Sequence, residues 1–322
     1  MSILLDKLSI PVIVAPMFLV SSVDMVIASS KSGVVGSIPM LNARTAEECE
    51  EMLKQLKEAL PTEPWAVNFI AHKTNKRHDS DLALIKKYQP PIVIASLGHP
   101  GVVTEVVHSY GGLVFSDVAT VKHAKKAEAS GADIIIAEGF EAAGINSSLE
   151  LTTFVLIPQI ANAVSIPVVA AGGIGDGKGL AAAFMLGASG VQMGTRLIAT
   201  QDGQFSKEYK EKLVTANGLD TQIVGRSVGR VRRILKTGYT EKLLKAEAEG
   251  ISLEEFNEMT SEDKHIKGAI DGDTDNGFIN SGQVVGLITN IPTVKELFAS
   301  MIEEAAVQMD AGFRKLALVS SK

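Results

Sequence analysis

The sequence predicts an α/β chain closed into a (β/α)8 (TIM) barrel, with a small helical insertion after the eighth strand. Three observations predict it. Eight short, nearly all-apolar runs rich in β-branched residues recur up to residue 195, as expected of parallel strands covered on both faces. Helical stretches separate them over short connections, and eight such units favour a barrel over an open sheet. The 322 residues are 46% hydrophobic and 21% charged, enough to fill one large core of this kind.

The expected strands are VIVA (12–15), VVGS (34–37), WAVNF (65–69), IVIAS (92–96), GLVFSD (112–117), DIIIAE (133–138), PVVAAG (167–172) and GVQMG (190–194). Between them, DMVIASSKSG and TAEECEEMLKQLKEAL read as helices. TVKHAKKAEASG ends at Gly131 as a plausible helix cap, and KGLAAAFMLGA ends near Gly187. After Thr195 the texture changes. Residues 200–277, including GRVRRILKTGYTEKLLKAEAEGISLEEF, are charged and read as a helical insertion or lid. The barrel is expected over 1–199 and 278–322, resuming with FINSGQVVGLI and closing with the amphipathic helix TVKELFASMIEEAAVQM.

Composition narrows the function. A net charge of −6 argues against a nucleic-acid surface. Cys49 is the only cysteine, so a disulfide within the chain and a cysteine-rich metal site are excluded, and no metal site is expected. Cys49 reads as a small packing or surface residue. No apolar run reaches membrane-span length. The start MSILLDKLSIPVIVAPM interrupts its apolar stretch with Asp6 and Lys7, unlike a signal peptide. A cytoplasmic location without membrane partners is expected.

In such barrels the chemistry sits at the C-terminal ends of the strands. PVVAAGGIGDGKG (167–179) ends strand seven in Gly172 and Gly173, and strand eight ends in Gly194 and Thr195. Loops in these two places commonly bind phosphate. Glycine lets backbone N–H groups approach an anion, and a helix N-terminus behind the loop is expected to add positive charge. The phosphate could belong to a sugar, a nucleotide or flavin mononucleotide (FMN). Asn68 and Gln192 are neutral amides at strand ends, with Pro16 and Met17 nearby in the barrel. That lining suits the alternating donors and acceptors of an isoalloxazine edge.

The segment VAAGGIGDGKGLAAAFMLGASGVQMGTR resembles the FMN-binding segment of the nitronate monooxygenase (2-nitropropane dioxygenase) family, whose superfamily includes FMN-type enoyl-ACP reductase and an NADH:quinone reductase. APMFLVS, NFIAHKTNKR, IVIASLGHP, VFSDV, EGFEAAG and GDTDNGFINSGQVVGLI extend the resemblance over nearly the whole chain. It implies a barrel with a lid-like insertion and substrate between the two. It implies FMN against Pro16 and Met17, with Asn68 near the ring and Ala171, Gly173, Gly194 and Thr195 at the phosphate, next to Gly172 and Gln192 as read above from the residues. Glu138, Ala142 and Gly144 would line the loop after strand six. Asp117 stands where some members have lysine. Ser281 and Gln283 match a small-residue turn on the substrate side.

One departure bears on the chemistry. The family commonly reads EAGGH or ECAGH, whereas this chain reads EAAGI, placing Ile145 at the histidine position. A hydrocarbon moves no proton, and Asn146, Ser147 and Ser148 supply no base. His99, after strand four, is the nearest alternative catalytic candidate, and His72 is ambiguous. An already anionic nitronate needs no base, whereas a neutral nitroalkane does. The expected activity is therefore oxidation of alkyl nitronates with O2. The alternative is an NAD(P)H-dependent reductase of quinones or enoyl thioesters, with NAD(P)H as cosubstrate. A non-catalytic flavin-binding protein is the alternative from another class. A nucleotide dehydrogenase would need a cysteine near strand eight, and Cys49 lies far upstream. A sugar-phosphate isomerase or aldolase would use a strand-end group such as Glu138 and would be colourless. Of the cluster Arg226, Arg230, Arg232 and Arg233, one or two could reach an anionic substrate or a nucleotide phosphate. A homodimer is possible.

Overall fold

The computed structural model describes residues 4–203 and 205–320. The expected barrel segments 1–199 and 278–322 thus run at their ends into residues 1–3, 321 and 322, which lie outside the described residues. The barrel strands are β1 Val12–Val14, β2 Gly36–Pro39, β3 Trp65–Ile70, β4 Ile92–Ser96, β5 Leu113–Val118, β6 Ile134–Glu138, β7 Val168–Ala171 and β8 Gly190–Met193. All eight runs read from the sequence form strands.

Neighbouring strands pair in parallel from β2 through β8, and β8 pairs with β1. The ring closes where Val14 N donates to Val35 O and Val35 N to Val12 O, at 2.8 and 3.0 Å. The period of two divides each strand. Ile13, Ala66, Ile92, Ile94, Phe115, Ile134, Ile136 and Val169 point inward and pack together, with Leu5 in the same cluster. Val67, Val93, Val114, Ile135, Val168 and Val191 point outward against helices. Burying each valine, leucine, isoleucine or phenylalanine side chain among these contributes about 1.5–3 kcal/mol. One inward step beyond the top layer lie Ala15, Asn68, Ser96, Asp117, Glu138, Ala171 and Gln192, and this register positions the site.

The helices start where side chains satisfy their free N–H groups. Ser22 caps Val23–Lys31, Thr120 caps Val121–Ala129, and Thr45 with Glu48 forms a capping box on Ala46–Ala59. The last helix, Val294–Ser320, is longer than its amphipathic motif and packs on the helix Gly177–Met185. Cys49 is fully buried among Met52, Leu53 and Leu56, and burial pushes its thiol up to about 12.

Residues 200–277 are not purely helical. They hold the helices Lys207–Thr215, Gly238–Ala248, Leu253–Met259 and Glu262–Ala269. They also hold an antiparallel hairpin, Thr221–Val224 with Arg232–Leu235, to which the two residues Gly144–Ile145 add a third strand. The stretch RRIL, expected as helix, is a strand because Gly225 and Gly229 adopt positive φ and reverse the chain ahead of it. Ile223, Val224, Val231 and Ile234 are buried by this pairing.

Candidate active site

A cavity of about 510 Å³ opens at the C-terminal end of the barrel, within the range of small-ligand and cofactor sites. Its floor is the ring of strand ends. Asn68 Nδ2 donates to Ile94 O and Ser96 Oγ at 3.0 and 2.9 Å, which fixes the amide. Gln192 is buried, and its Oε1 has no partner among the described residues. A buried orphan acceptor costs about 1–3 kcal/mol unless a ligand donor meets it. This orphan acceptor belongs to a residue that lines the cavity.

Loops after β7 and β8 form one wall. Gly172 and Gly173 have φ of +92° and +76°, the left-handed region that favours glycine. Thr153 Oγ1 donates to Gly172 O at 2.8 Å, and Glu141 accepts from Thr153 N, also at 2.8 Å. These bonds hold the turn's carbonyls. The N–H groups of Gly172 and Gly173 meet no acceptor among the described residues. Gly194 caps the short helix Thr195–Ile198 without a side-chain bond, and Thr195 Oγ1 accepts from Gly282 N at 3.0 Å. A Cβ added to Gly194 would lie 3.5 Å from Ala15 Cβ and 3.6 Å from Met17 Sδ, so the open backbone here is a cradle. Free N–H groups, a hydroxyl and an open cradle fit a phosphate. The helix behind the Gly–Gly turn does not contribute as expected from sequence. Its Gly179 N donates to Asp176 Oδ1 and its Gly177 N to Glu304, both at 2.8 Å, so two of the first three N–H groups of this helix are already taken.

Two carboxylates share the floor. Asp117 and Glu138 end the adjacent strands β5 and β6 and both line the cavity. Burial pushes Asp117 up to about 6, against a hydrogen bond from Ser96 that lowers it. Burial and the charge of Asp117 raise Glu138 well above the usual carboxylate range. The pair therefore favours holding a proton.

The opposite wall joins residues 209, 232 and 265 of the 200–277 segment to Ile145 and Asn280. Arg232, Ile145, His265, Asn280 and Tyr209 all line the cavity. The Arg232 guanidinium lies 4.9 Å from the Phe278 ring centre, and the His265 ring stacks on Phe278 at 5.0 Å. Arg232 Nη1 donates to Asn280 Oδ1 at 3.5 Å, and Asn280 Nδ2 lies 3.2 Å from His265 Nε2. Burial lowers Arg232 to about 10, leaving it charged at neutral pH. Burial and the Arg232 charge push His265 down to about 3, leaving it uncharged. Arg232 has no carboxylate partner among the described residues.

Of the site residues read from sequence, Pro16, Met17, Asn68, Asp117, Glu138, Ala142, Gly144, Ala171, Gly172, Gly173, Gln192, Gly194 and Thr195 all line this cavity. Ser281 and Gln283 do not. Ser281 is buried behind the wall and Gln283 is exposed, while Gly282 between them faces the cavity. His99 lies outside the lining, exposed, with Nδ1 accepting from Gly101 N and Nε2 near Ser130 Oγ, at 3.1 and 2.9 Å. His72 is likewise exposed and bonds Thr74. The reading missed His265, Asn280 and Tyr209, and of the arginine cluster only Arg232 lines the cavity. Among the described residues, no group of three or more metal-ligating side chains is arranged around an ion, and no helix is long and apolar enough to cross a membrane.

The sequence profile described as nitronate monooxygenase matches residues 74–304. The chain is similar to (3aS,4S,5R,7aS)-5-hydroxy-7a-methyl-1-oxo-octahydro-1H-indene-4-carboxyl-CoA dehydrogenase of Rhodococcus jostii (strain RHA1), with 29% identity over 94% of each chain. It is 31% identical to a probable nitronate monooxygenase of Staphylococcus aureus (strain JH9), over 83% of this chain and 77% of the relative. Among solved structures it resembles FabK from Thermotoga maritima, with TM-score 0.88 and 31% identity, covering 97% of this chain and 98% of that one.

Proposed function

Since this chain belongs to the nitronate monooxygenase family and is a flavin-dependent oxidoreductase, we propose that it binds FMN in the barrel mouth and oxidises alkyl nitronates with O2. The observation that carries the substrate is Arg232, a half-buried cation lining the cavity without a carboxylate partner among the described residues. A charge drawn partly out of water with no partner is costly, and an anionic substrate offsets that cost. Ile145 supports the same reading, because the position where the family commonly has histidine offers no base. The substrate must then arrive already ionised, as a nitronate is.

The fit to FMN rests on this chain's own groups. Gly172, Gly173, Gly194 and Thr195 would hold the phosphate by backbone N–H groups and one hydroxyl. Asn68 and Gln192 would meet the polar edge of the ring, with Pro16 and Met17 against its face. When bound, FMN supplies the electron acceptor. Arg232 binds and orients the anion, and the insertion, acting as a lid, excludes water from the mouth.

A second reading is an NAD(P)H-dependent reductase of enoyl thioesters or quinones. The similarity over 94% of both chains to a dehydrogenase named for a CoA thioester favours it. The Asp117–Glu138 pair would then serve as the nearby proton store. Oxygen uptake with an alkyl nitronate, compared with its neutral nitroalkane, tests the first reading. Uptake with the nitronate alone is expected, and no uptake with it overturns the proposal. Rapid anaerobic bleaching of the flavin by NADH, without nitronate turnover, would establish the second.

A further inference from the structure

We propose that His265 is a substrate-binding residue, a hydrogen-bond donor that shares the anionic head group with Arg232 and fills from the lid the place left by Ile145. This rests on the reading that the bound species carries an oxyanion, as a nitronate does on arrival and an enoyl thioester does once hydride addition makes it an enolate.

The hydrogen-bond chain decides the tautomer. Arg232 can only donate, so Asn280 Oδ1 is its acceptor at 3.5 Å. The Asn280 amide nitrogen then faces His265 Nε2 at 3.2 Å. An amide nitrogen only donates, so Nε2 carries the lone pair and the ring proton sits on Nδ1. Nδ1 makes no hydrogen bond to any described residue, and it is not among the fully enclosed polar atoms that lack one. His265 is therefore a donor with an open Nδ1–H in a residue that lines the cavity. Asn280 is itself fixed. Its carbonyl accepts from Tyr209 Oη, and it bridges to Ile234 beside Arg232. Phe278 packs against both the imidazole and the guanidinium, so the two groups keep a set relation. The depressed basicity of His265 agrees with this role, because a ring that stays uncharged adds a donor without a second positive charge beside Arg232.

Ile145 pairs in register with Arg232, on the same small sheet. Residues 232, 265 and 280 thus supply the polar groups of this wall, and Ile145 adds no base to them.

Nitrate, a planar anion with the shape of a nitronate head, is the probe. Calorimetric titration of nitrate into the FMN-loaded enzyme, at constant ionic strength, should show binding that weakens at least about tenfold in Arg232→Ala and about five- to tenfold in His265→Leu. The amide pair separates donor from packing. The nitrogen of asparagine falls near the place of imidazole Nδ1 and that of glutamine near Nε2. His265→Asn should keep nitrate affinity within about threefold of the parent, while His265→Gln should match the leucine variant. The contrast holds even if the leucine variant folds poorly, and the visible spectrum of bound flavin checks each protein. Unchanged nitrate affinity in His265→Leu, or equal affinities in the asparagine and glutamine variants, overturns the proposal. Steady-state kinetics with an alkyl nitronate and with an enoyl thioester, run separately, identify the oxyanion served: a rise in KM larger than the fall in kcat for the nitronate, which arrives ionised, or a fall in kcat with KM little changed for the thioester, whose oxyanion forms only during reduction. If the nitrate contrast holds while nitronate is not turned over, the anion site stands and the nitronate reading falls. If nitronate is turned over with KM unchanged in His265→Leu, the reverse is true.

Discussion

Ile145 and Arg232 face each other across an antiparallel pairing of two short strands, one from the barrel's sixth loop and one from the insertion. The pairing places a hydrocarbon and a guanidinium side by side in the cavity wall, where the family commonly has a histidine. Much of the proposed chemistry follows from that exchange. The site can attract an anion, but it has no base at this position to make one.

Ile145→His should therefore widen the substrate range. Ile145 is 64% exposed, so the substitution costs little stability. A positioned general base contributes about 10²–10⁴-fold. Turnover of a neutral nitroalkane should rise at least about tenfold over the parent, measured by oxygen uptake below the nitroalkane pKa. No gain would mean that residue 145 does not limit the range.

Two glycines of the phosphate wall should respond differently to alanine. At Gly172, φ is +92° and a Cβ would lie 2.7 Å from Gly139 O. Gly172→Ala should cost about 1–3 kcal/mol and lower the melting temperature of the flavin-free protein by roughly 2–4 °C per kcal/mol. At Gly194 the Cβ would meet only ordinary contacts at 3.5 and 3.6 Å. Gly194→Ala should melt like the parent yet bind FMN at least about tenfold more weakly, because the methyl stands in the cradle. Fluorescence titration of FMN into both apoproteins checks this, and equal FMN affinity in Gly194→Ala and parent would remove the cradle.

The carboxylate pair sets a pH dependence of stability. Asp117 is pushed up to about 6 by burial, and Glu138 is raised by burial and by Asp117. A carboxyl whose folded pKa lies above its unfolded value stabilises the fold fully below the unfolded pKa, near 3.8 for aspartate. That contribution is lost as pH rises through about 6. Asp117→Asn removes the repulsion. The flavin-free variant should melt roughly 3 °C or more above the parent at pH 7.5, with the gap closing near pH 4. A gap that grows toward low pH would reverse the sign and reject the account of the pair.

The barrel was legible because parallel strands buried on both faces leave continuous apolar runs that helices of this polarity do not. The floor was legible for the same reason. The period of two places Asn68, Asp117, Glu138 and Gln192 one inward step beyond Ala66, Phe115, Ile136 and Gly190. The lid wall was not. The strand Arg232–Leu235 hides in a basic stretch, and its second partner is only the two residues Gly144–Ile145, a pairing that tertiary contact supplies. His265 lies in EDKHIKGA, a sequence with the texture of a solvent-facing helix, and only the fold brings it to Asn280. The helix after the Gly–Gly turn shows the opposite failure. The motif suggested a free N-terminus, but Asp176 and the distant Glu304 occupy it.

The central claim is that the turns after β7 and β8 hold the phosphate monoester of a flavin. Identification of the small molecule released when the purified protein is denatured tests it most directly. The account predicts FMN at close to one per chain, giving the native protein a yellow colour. Release of FAD, or a protein that is colourless and takes up no FMN when it is supplied, would contradict it.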